Sequence, residues 1–144
     1  MTPAQKCLVQ STWNQVVPLA DAAAIMFYDR LFEIDPTAKP LFRHADMAKQ
    51  RKKLIQIMGT AVISLDRLDA LLPVVEDLGR RHAGYGVEDR HYDSVGAALL
   101  WTLERGLGKE WTPQVAEAWT ETYALLSGVM RRAQQSVMKE PIAA

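Results

Sequence analysis

The chain has 144 residues, 49% of them hydrophobic and 24% charged, a composition that favours one folded domain over disorder. Its 17 basic and 17 acidic side chains give a formal net charge of zero, which favours neither nucleic acid nor an anionic membrane as a partner. The single cysteine excludes an internal disulfide, and the lack of a long apolar run or a signal segment predicts a cytoplasmic protein without a membrane helix.

The first third of the chain predicts three helices. Apolar residues recur at helical spacing over residues 9–17 and again over residues 24–32. Asp35 and Pro36 are expected to end the second helix and to begin a short third one, as N-cap and first-turn proline, that runs to Phe42. A polar corner should follow it.

Four further helices are predicted in the rest of the chain, and strand alternation is almost absent. Their apolar stripes begin near residues 48, 69, 92 and 112. The pattern is lost from Val137 onward. The sequence therefore predicts one all-α domain of about seven helices over residues 1–136, with a loosely ordered tail at 137–144.

A lone histidine, His82, continues the apolar stripe of Leu71, Val75 and Leu78. About three turns at 3.6 residues per turn separate Leu71 from His82, so the imidazole should point where the leucines point. Gly84 is expected to end this helix. An imidazole directed into an apolar cavity can serve as the axial ligand of a haem iron. For this residue alone, a hydrogen-bonded core histidine is the alternative.

Three other side chains are polar or aromatic where a plain core would be aliphatic. Tyr28 lies on the inner face of the second helix, Gln50 heads the apolar stripe of the fourth, and Phe42 ends the third. Burying a phenol or an amide without a partner costs roughly 1–3 kcal/mol. Convergence of Tyr28 and Gln50 would suit a diatomic ligand on an iron. Taken singly, each residue also fits a structural role, as a core tyrosine, a first-turn surface amide or a core ring.

From Gln5 to about Gln134 the chain carries a series of motifs in a specific order. They are Phe27–Phe32, Pro36, Leu41-Phe42, Gln50 with Leu54, Arg81–Val87, His91-Tyr92, Val95-Gly96, Ala118-Trp119 and Tyr123. In order and spacing the series resembles the globins, most closely bacterial single-domain haemoglobins and the globin half of flavohaemoglobins. The resemblance implies a globin fold packed around a pocket for haem b.

Carried over residue by residue, the resemblance implies that His82 binds the iron and that Tyr28 and Gln50 contact bound O2. The implied haem contacts are Phe42, Leu54, Val87, Tyr92 and Val95, with Lys53 and Arg81 near the propionates. Because Gln50 occupies the distal position, where many animal globins have a histidine, a distal imidazole is not expected as a sixth ligand of the iron. Where bacterial relatives place a glutamate behind the proximal histidine, this chain has Gln134, which should draw the imidazole proton less strongly.

The resemblance also implies reversible binding of O2, for storage or delivery, with NO and CO as further ligands. Nitric oxide dioxygenation is a secondary capacity, and it would require an external reductase because no flavin or nicotinamide domain is expected. A gas sensor and a haem-free globin-like interaction module are the alternatives. The basic run at Lys49 and residues 51–53 is predicted to be a solvated face, a propionate contact or a reductase-docking patch. His91 is predicted to be a surface group or a supporting group next to the site.

Overall fold

Six α-helices and four short 3-10 helices make up residues 1–139, the part of the chain that the computed structural model describes. The α-helices are α1 (Pro3–Val16), α2 (Ala20–Ile34), α3 (Met47–Ile63), α4 (Leu68–Gly84), α5 (Asp89–Leu107) and α6 (Pro113–Lys139). The 3-10 helices are Val17–Leu19, Pro36–Phe42, Ser64–Asp66 and Gly108–Glu110. No strand occurs within these residues, so the all-α prediction is confirmed. None of the helices described combines the length and apolar character needed to cross a membrane.

The predicted short third helix is the 3-10 helix Pro36–Phe42, here called the corner helix. It begins as expected, because the Asp35 side chain accepts a hydrogen bond from the backbone N–H of Thr37 at 3.1 Å. Pro40 lies inside it and has no N–H to donate, which disfavours a regular α-helix at this point. The corner helix thus places Phe42 at its last position, immediately before the turn into α3.

Of two other helix ends, one agrees with the sequence prediction and one lies further along the chain. As expected, α4 ends at Gly84, so His82 lies within its last turn. Gly86 follows with φ of 80°, a left-handed conformation that glycine adopts without strain. At the other end of the chain, α6 continues to Lys139, past the predicted domain end at 136. Residues 140–144 of the predicted tail lie outside the described residues.

The larger of two hydrophobic clusters is built around two tryptophans on α1 and α6. The rings of Trp13 and Trp119 are 6.3 Å apart between centroids. The buried indole N–H of Trp119 donates to the hydroxyl of Thr12 at 2.9 Å, which satisfies a donor that would otherwise be costly to bury. Apolar residues of α3, α4 and α5 complete this cluster, which holds the helices together away from the candidate site.

The helices α4 and α6 cross with almost no space between their backbones. An added Cβ atom at Gly79 would lie 2.7 Å from the Cα atom of Met130, so only glycine permits this approach. The crossing fixes the direction of α4. It therefore also fixes the position of His82, one turn further along the same helix.

The second cluster joins the corner helix to α2, α3 and α5. Its buried members are Phe27, Tyr28, Leu31, Ala38 and Ala98. Partly buried side chains that pack against it include Phe32, Phe42, Met47, Leu54 and Val95. This second cluster contains Tyr28 and Phe42, two of the three side chains that the sequence singled out besides His82.

Candidate functional site

His82 is half-buried in the last turn of α4, and one of its ring nitrogens is already engaged. Its Nδ1 atom lies 2.7 Å from the carbonyl oxygen of Leu78. A carbonyl can only accept, so Nδ1 carries the proton and Nε2 keeps its lone pair. Burial lowers the pKa of His82, which keeps the imidazole neutral. A neutral imidazole with a fixed tautomer is the form that binds a metal ion.

Tyr92 and Gln134 form the layer behind His82. The ring of Tyr92 lies nearly parallel to that of His82, with 6.2 Å between centroids and 23° between planes. The Tyr92 hydroxyl donates to Oε1 of Gln134, and Nε2 of Gln134 donates to the carbonyl oxygen of Val87. Burial raises the pKa of Tyr92 to about 12, so its phenol stays protonated. Gln134 therefore joins α5 to the loop after α4 and reaches His82 only through Tyr92.

Tyr28 and Gln50 contact each other, as the sequence analysis expected. Tyr28 is buried at 5% exposure, and Nε2 of Gln50 donates to its hydroxyl oxygen at 3.2 Å. The phenol proton of Tyr28 is thus left to donate to another group. Burial raises the pKa of Tyr28, while the Gln50 hydrogen bond and the charge of Arg51 lower it in part. The hydroxyl therefore remains a protonated donor.

Aromatic rings surround the Tyr28–Gln50 pair. Phe42 packs edge-to-face on Tyr28 with 5.4 Å between centroids, and Phe32 lies 5.7 Å from Phe42. Leu54 and Val95 pack against the same second cluster. The structure thus brings predicted site residues of α2, the corner helix, α3 and α5 together around Tyr28.

The two basic residues assigned to the propionates lie on different helices, Arg81 on α4 and Lys53 on α3. Arg81 is exposed and its Nε atom lies 3.3 Å from Oδ2 of Asp77, one turn earlier on α4. Lys53 is exposed on α3. The role of these two side chains at the propionates stays a prediction.

A buried polar network next to the site was missed by the sequence analysis. His91, predicted at the surface or in a supporting role, is only 4% exposed and lies in the first turn of α5. Its Nδ1 accepts from the backbone N–H of Glu88 at 2.8 Å, so Nε2 carries the proton and donates to the hydroxyl of Thr37 at 3.1 Å. Asp35 accepts from Thr37 and, at 2.7 Å, from the hydroxyl of Ser94. This network binds the corner helix to α5.

These side chains fit a haem better than a metal ion held by protein ligands alone. Among residues 1–139, no group of three or more His, Cys, Asp or Glu side chains could hold a metal. His82 offers one imidazole nitrogen, which suits an iron whose other ligands come from a porphyrin. Phe42, Leu54 and Val95 offer the apolar contacts that such a macrocycle requires, and Tyr28 offers a hydrogen-bond donor.

Comparisons with known proteins agree with this assignment. Residues 25–130 match the family model for Globin. The flavohemoprotein of Bacillus subtilis is 32% identical over 103 residues, which cover 70% of this chain and 26% of that protein. The neuroglobin of Danio rerio is 27% identical over 140 residues, 88% of each chain. The flavohemoprotein of Rhodopirellula baltica is 28% identical over 133 residues, 88% of this chain but 33% of its own length.

Proposed function

The chain belongs to the globin family, and we propose that it binds O2 reversibly at a haem b held by His82. The observation that carries the proposal is the state of the His82 ring. Leu78 holds the proton on Nδ1 and, within residues 1–139, no hydrogen bond engages Nε2. When bound, ferrous haem supplies the iron atom that takes up the gas. Storage or delivery of O2 is the function that this arrangement supports best.

The absorption spectrum of the purified protein tests the haem assignment. The wild type should show a strong Soret band, and His82→Ala should lose it or lose its native ligation. His44→Ala is the matched control, because His44 is exposed in the turn before α3. A wild type that stays colourless after addition of haemin would contradict the proposal and would favour the haem-free interaction module.

On the gas-binding side, Tyr28 is the direct donor in this proposal and Gln50 acts on Tyr28. The amide of Gln50 donates to the Tyr28 oxygen, which orients the phenol and makes its proton a better donor. Bound O2 carries partial negative charge and accepts such a hydrogen bond, whereas bound CO is less polar. The pair should therefore retain O2 selectively and should have less effect on NO or CO.

Nitric oxide dioxygenation is a second candidate function, favoured by the same retention of O2. In this reaction NO, O2 and one electron give nitrate, so each turnover requires one electron from a reductant. We propose that an external reductase supplies it. Oxygenated protein mixed with NO should give one nitrate per haem. Consumption should continue only after a reductase is added. Slow or absent oxidation of the oxygenated protein by NO would rule out this activity.

A further inference from the structure

Positive charge is concentrated in one short segment of a chain that has no net charge overall. Residues 39–53 contain six of the 17 Lys and Arg side chains and a single acidic side chain, Asp46. These six, here called the basic corner, are Lys39, Arg43, Lys49, Arg51, Lys52 and Lys53. All except Arg51 are exposed. The segment covers the end of the corner helix and the first turns of α3.

Among residues 1–139, no carboxylate forms an ion pair with the basic corner. The ion pairs found among residues 1–139 use arginines elsewhere, namely Arg30, Arg80, Arg81, Arg90 and Arg131. Asp46 instead caps α3, where its side chain accepts from the backbone N–H groups of Ala48 and Lys49. The lysines at the start of α3 also meet the positive end of the helix dipole, which adds to their field.

A mainly apolar groove opens beside these charges. Phe32, Phe42 and Met47 line it together with Lys39 and Arg43, which are members of the basic corner. Phe42 also packs on Tyr28, so one ring forms part of the groove and part of the candidate pocket wall. An apolar centre with a polar, solvent-accessible rim is the usual arrangement of a protein–protein interface.

We propose that the basic corner and this groove are the docking surface for a protein that carries an acidic patch around a reduced flavin. The proposal rests on the haem function proposed above and names the partner that such a function requires. One electron leaves the reduced flavin of the donor, which becomes oxidised by one electron. The same electron would reduce the iron of a haem held by His82 from the ferric to the ferrous state.

The apolar groove favours a protein partner over a phosphate polymer or a lipid headgroup. A phosphate backbone is bound through its charge, which the lysines of α3 alone would satisfy. The side chains of Phe32 and Met47 are of use only to a partner with apolar residues of its own. The shared ring of Phe42 places that partner close to the pocket, which shortens the path for an electron.

Charge reversal in the basic corner tests the proposal. Lys39→Glu with Arg43→Glu should slow docking of an acidic donor at least about 10-fold at low ionic strength. The effect should disappear as the Debye length falls from about 30 Å at 0.01 M salt to about 3 Å at 1 M. Lys49→Glu with Lys52→Glu changes the part of the basic corner that lies on α3, and it should also slow docking.

The matched control is Arg67→Glu with Lys109→Glu, which changes the charge equally. Both residues are exposed and follow the far ends of α3 and α5. The helix α3 has 17 residues, so Arg67 lies about 25 Å from its start. The helix α5 has 19 residues, so Lys109 lies about 28 Å from its start. Both helix starts are near the basic corner. This pair should leave docking within about twofold of the wild type.

Two measurements use flavodoxin, an acidic FMN protein, as the probe. Stopped-flow absorption follows reduction of the ferric protein by reduced flavodoxin, with the small reductant dihydroriboflavin, which has no protein surface, as the reference. Calorimetry follows binding of oxidised flavodoxin, which involves no electron transfer. The basic-corner variants should be slower and weaker with flavodoxin and unchanged with dihydroriboflavin.

Slowing by the control pair Arg67→Glu with Lys109→Glu as large as that by the basic-corner pairs, or equal slowing with dihydroriboflavin, would overturn the proposal. So would tighter binding of duplex DNA or phosphatidylserine vesicles than of flavodoxin through the same residues. If the protein lacks a Soret band, the proposed function fails. Calorimetric binding of flavodoxin then still decides whether the docking surface exists.

Discussion

Removing the two polar groups of the gas-binding side, singly and together, should show that they act in series. Tyr28→Phe deletes the phenol proton that we assign to bound O2. Gln50→Leu deletes the amide that donates to the Tyr28 oxygen at 3.2 Å. If Gln50 acts only through Tyr28, the double variant should resemble Tyr28→Phe alone.

The expected magnitude follows from the number of hydrogen bonds lost. One neutral hydrogen bond contributes about 0.5–1.5 kcal/mol, so Tyr28→Phe should speed O2 dissociation about 2- to 13-fold. Gln50→Leu should have a smaller effect, because the phenol remains and loses only its orienting partner. Two independent donors would instead give roughly 5- to 150-fold in the double variant.

Flash photolysis or stopped-flow mixing measures the O2 and CO dissociation rates of the three variants. Gln56→Leu is the matched amide control, because Gln56 is exposed on the same helix. CO dissociation should change little in every variant. The reasoning is refuted if O2 release is unaffected by Tyr28→Phe, or if the two single effects multiply in the double variant.

Three further predictions concern stability and are checked by urea titration. Gly79→Ala should cost about 1–3 kcal/mol because its Cβ would meet the backbone of Met130, whereas Gly106→Ala, with open space around it, should be neutral or stabilising. Hydrogen bonds from Thr37 and Ser94 hold the pKa of Asp35 below its usual value in the folded protein. The contribution of Asp35 to the free energy of unfolding is therefore present above about pH 4 and is lost as the pH falls through the folded pKa. Asp35→Asn should flatten this acid dependence. Gln134→Ala should cost about 1–3 kcal/mol because the two hydrogen bonds of this buried side chain are lost together.

Periodicity predicted the features that depend on nearest neighbours along a helix. The stripe that ends in His82, the cap at Asp35 and the place of Gln50 in a first turn all follow from spacings of a few residues. The 3-10 geometry of the corner helix was not predicted, although Pro40 is a signal for it. The buried position of His91 was missed because its partner at the helix start, Glu88, forms a capping box without the usual serine or threonine.

Contacts between distant positions could not be read from the sequence. The bond from Tyr92 to Gln134 joins residues 42 positions apart, and the network at Asp35 joins the corner helix to α5 over 59 positions. Such pairs depend on how helices cross, which periodicity along one helix does not determine. The sequence therefore identified Gln134 as a departure but not the carbonyl of Val87 that it holds.

One helix, α5, connects the two sides of the candidate site. His91 donates to the corner helix through Thr37, Tyr92 stacks on the ring of His82, and Val95 packs into the cluster around Tyr28. Neighbouring positions on a helix point in different directions, so these side chains can reach different elements without bending the backbone. A rotation of α5 would therefore displace the ring behind His82 and the wall near Tyr28 at once. The hydrogen bonds of His91 resist that rotation, so this network keeps the ring behind His82 and the wall near Tyr28 in place together.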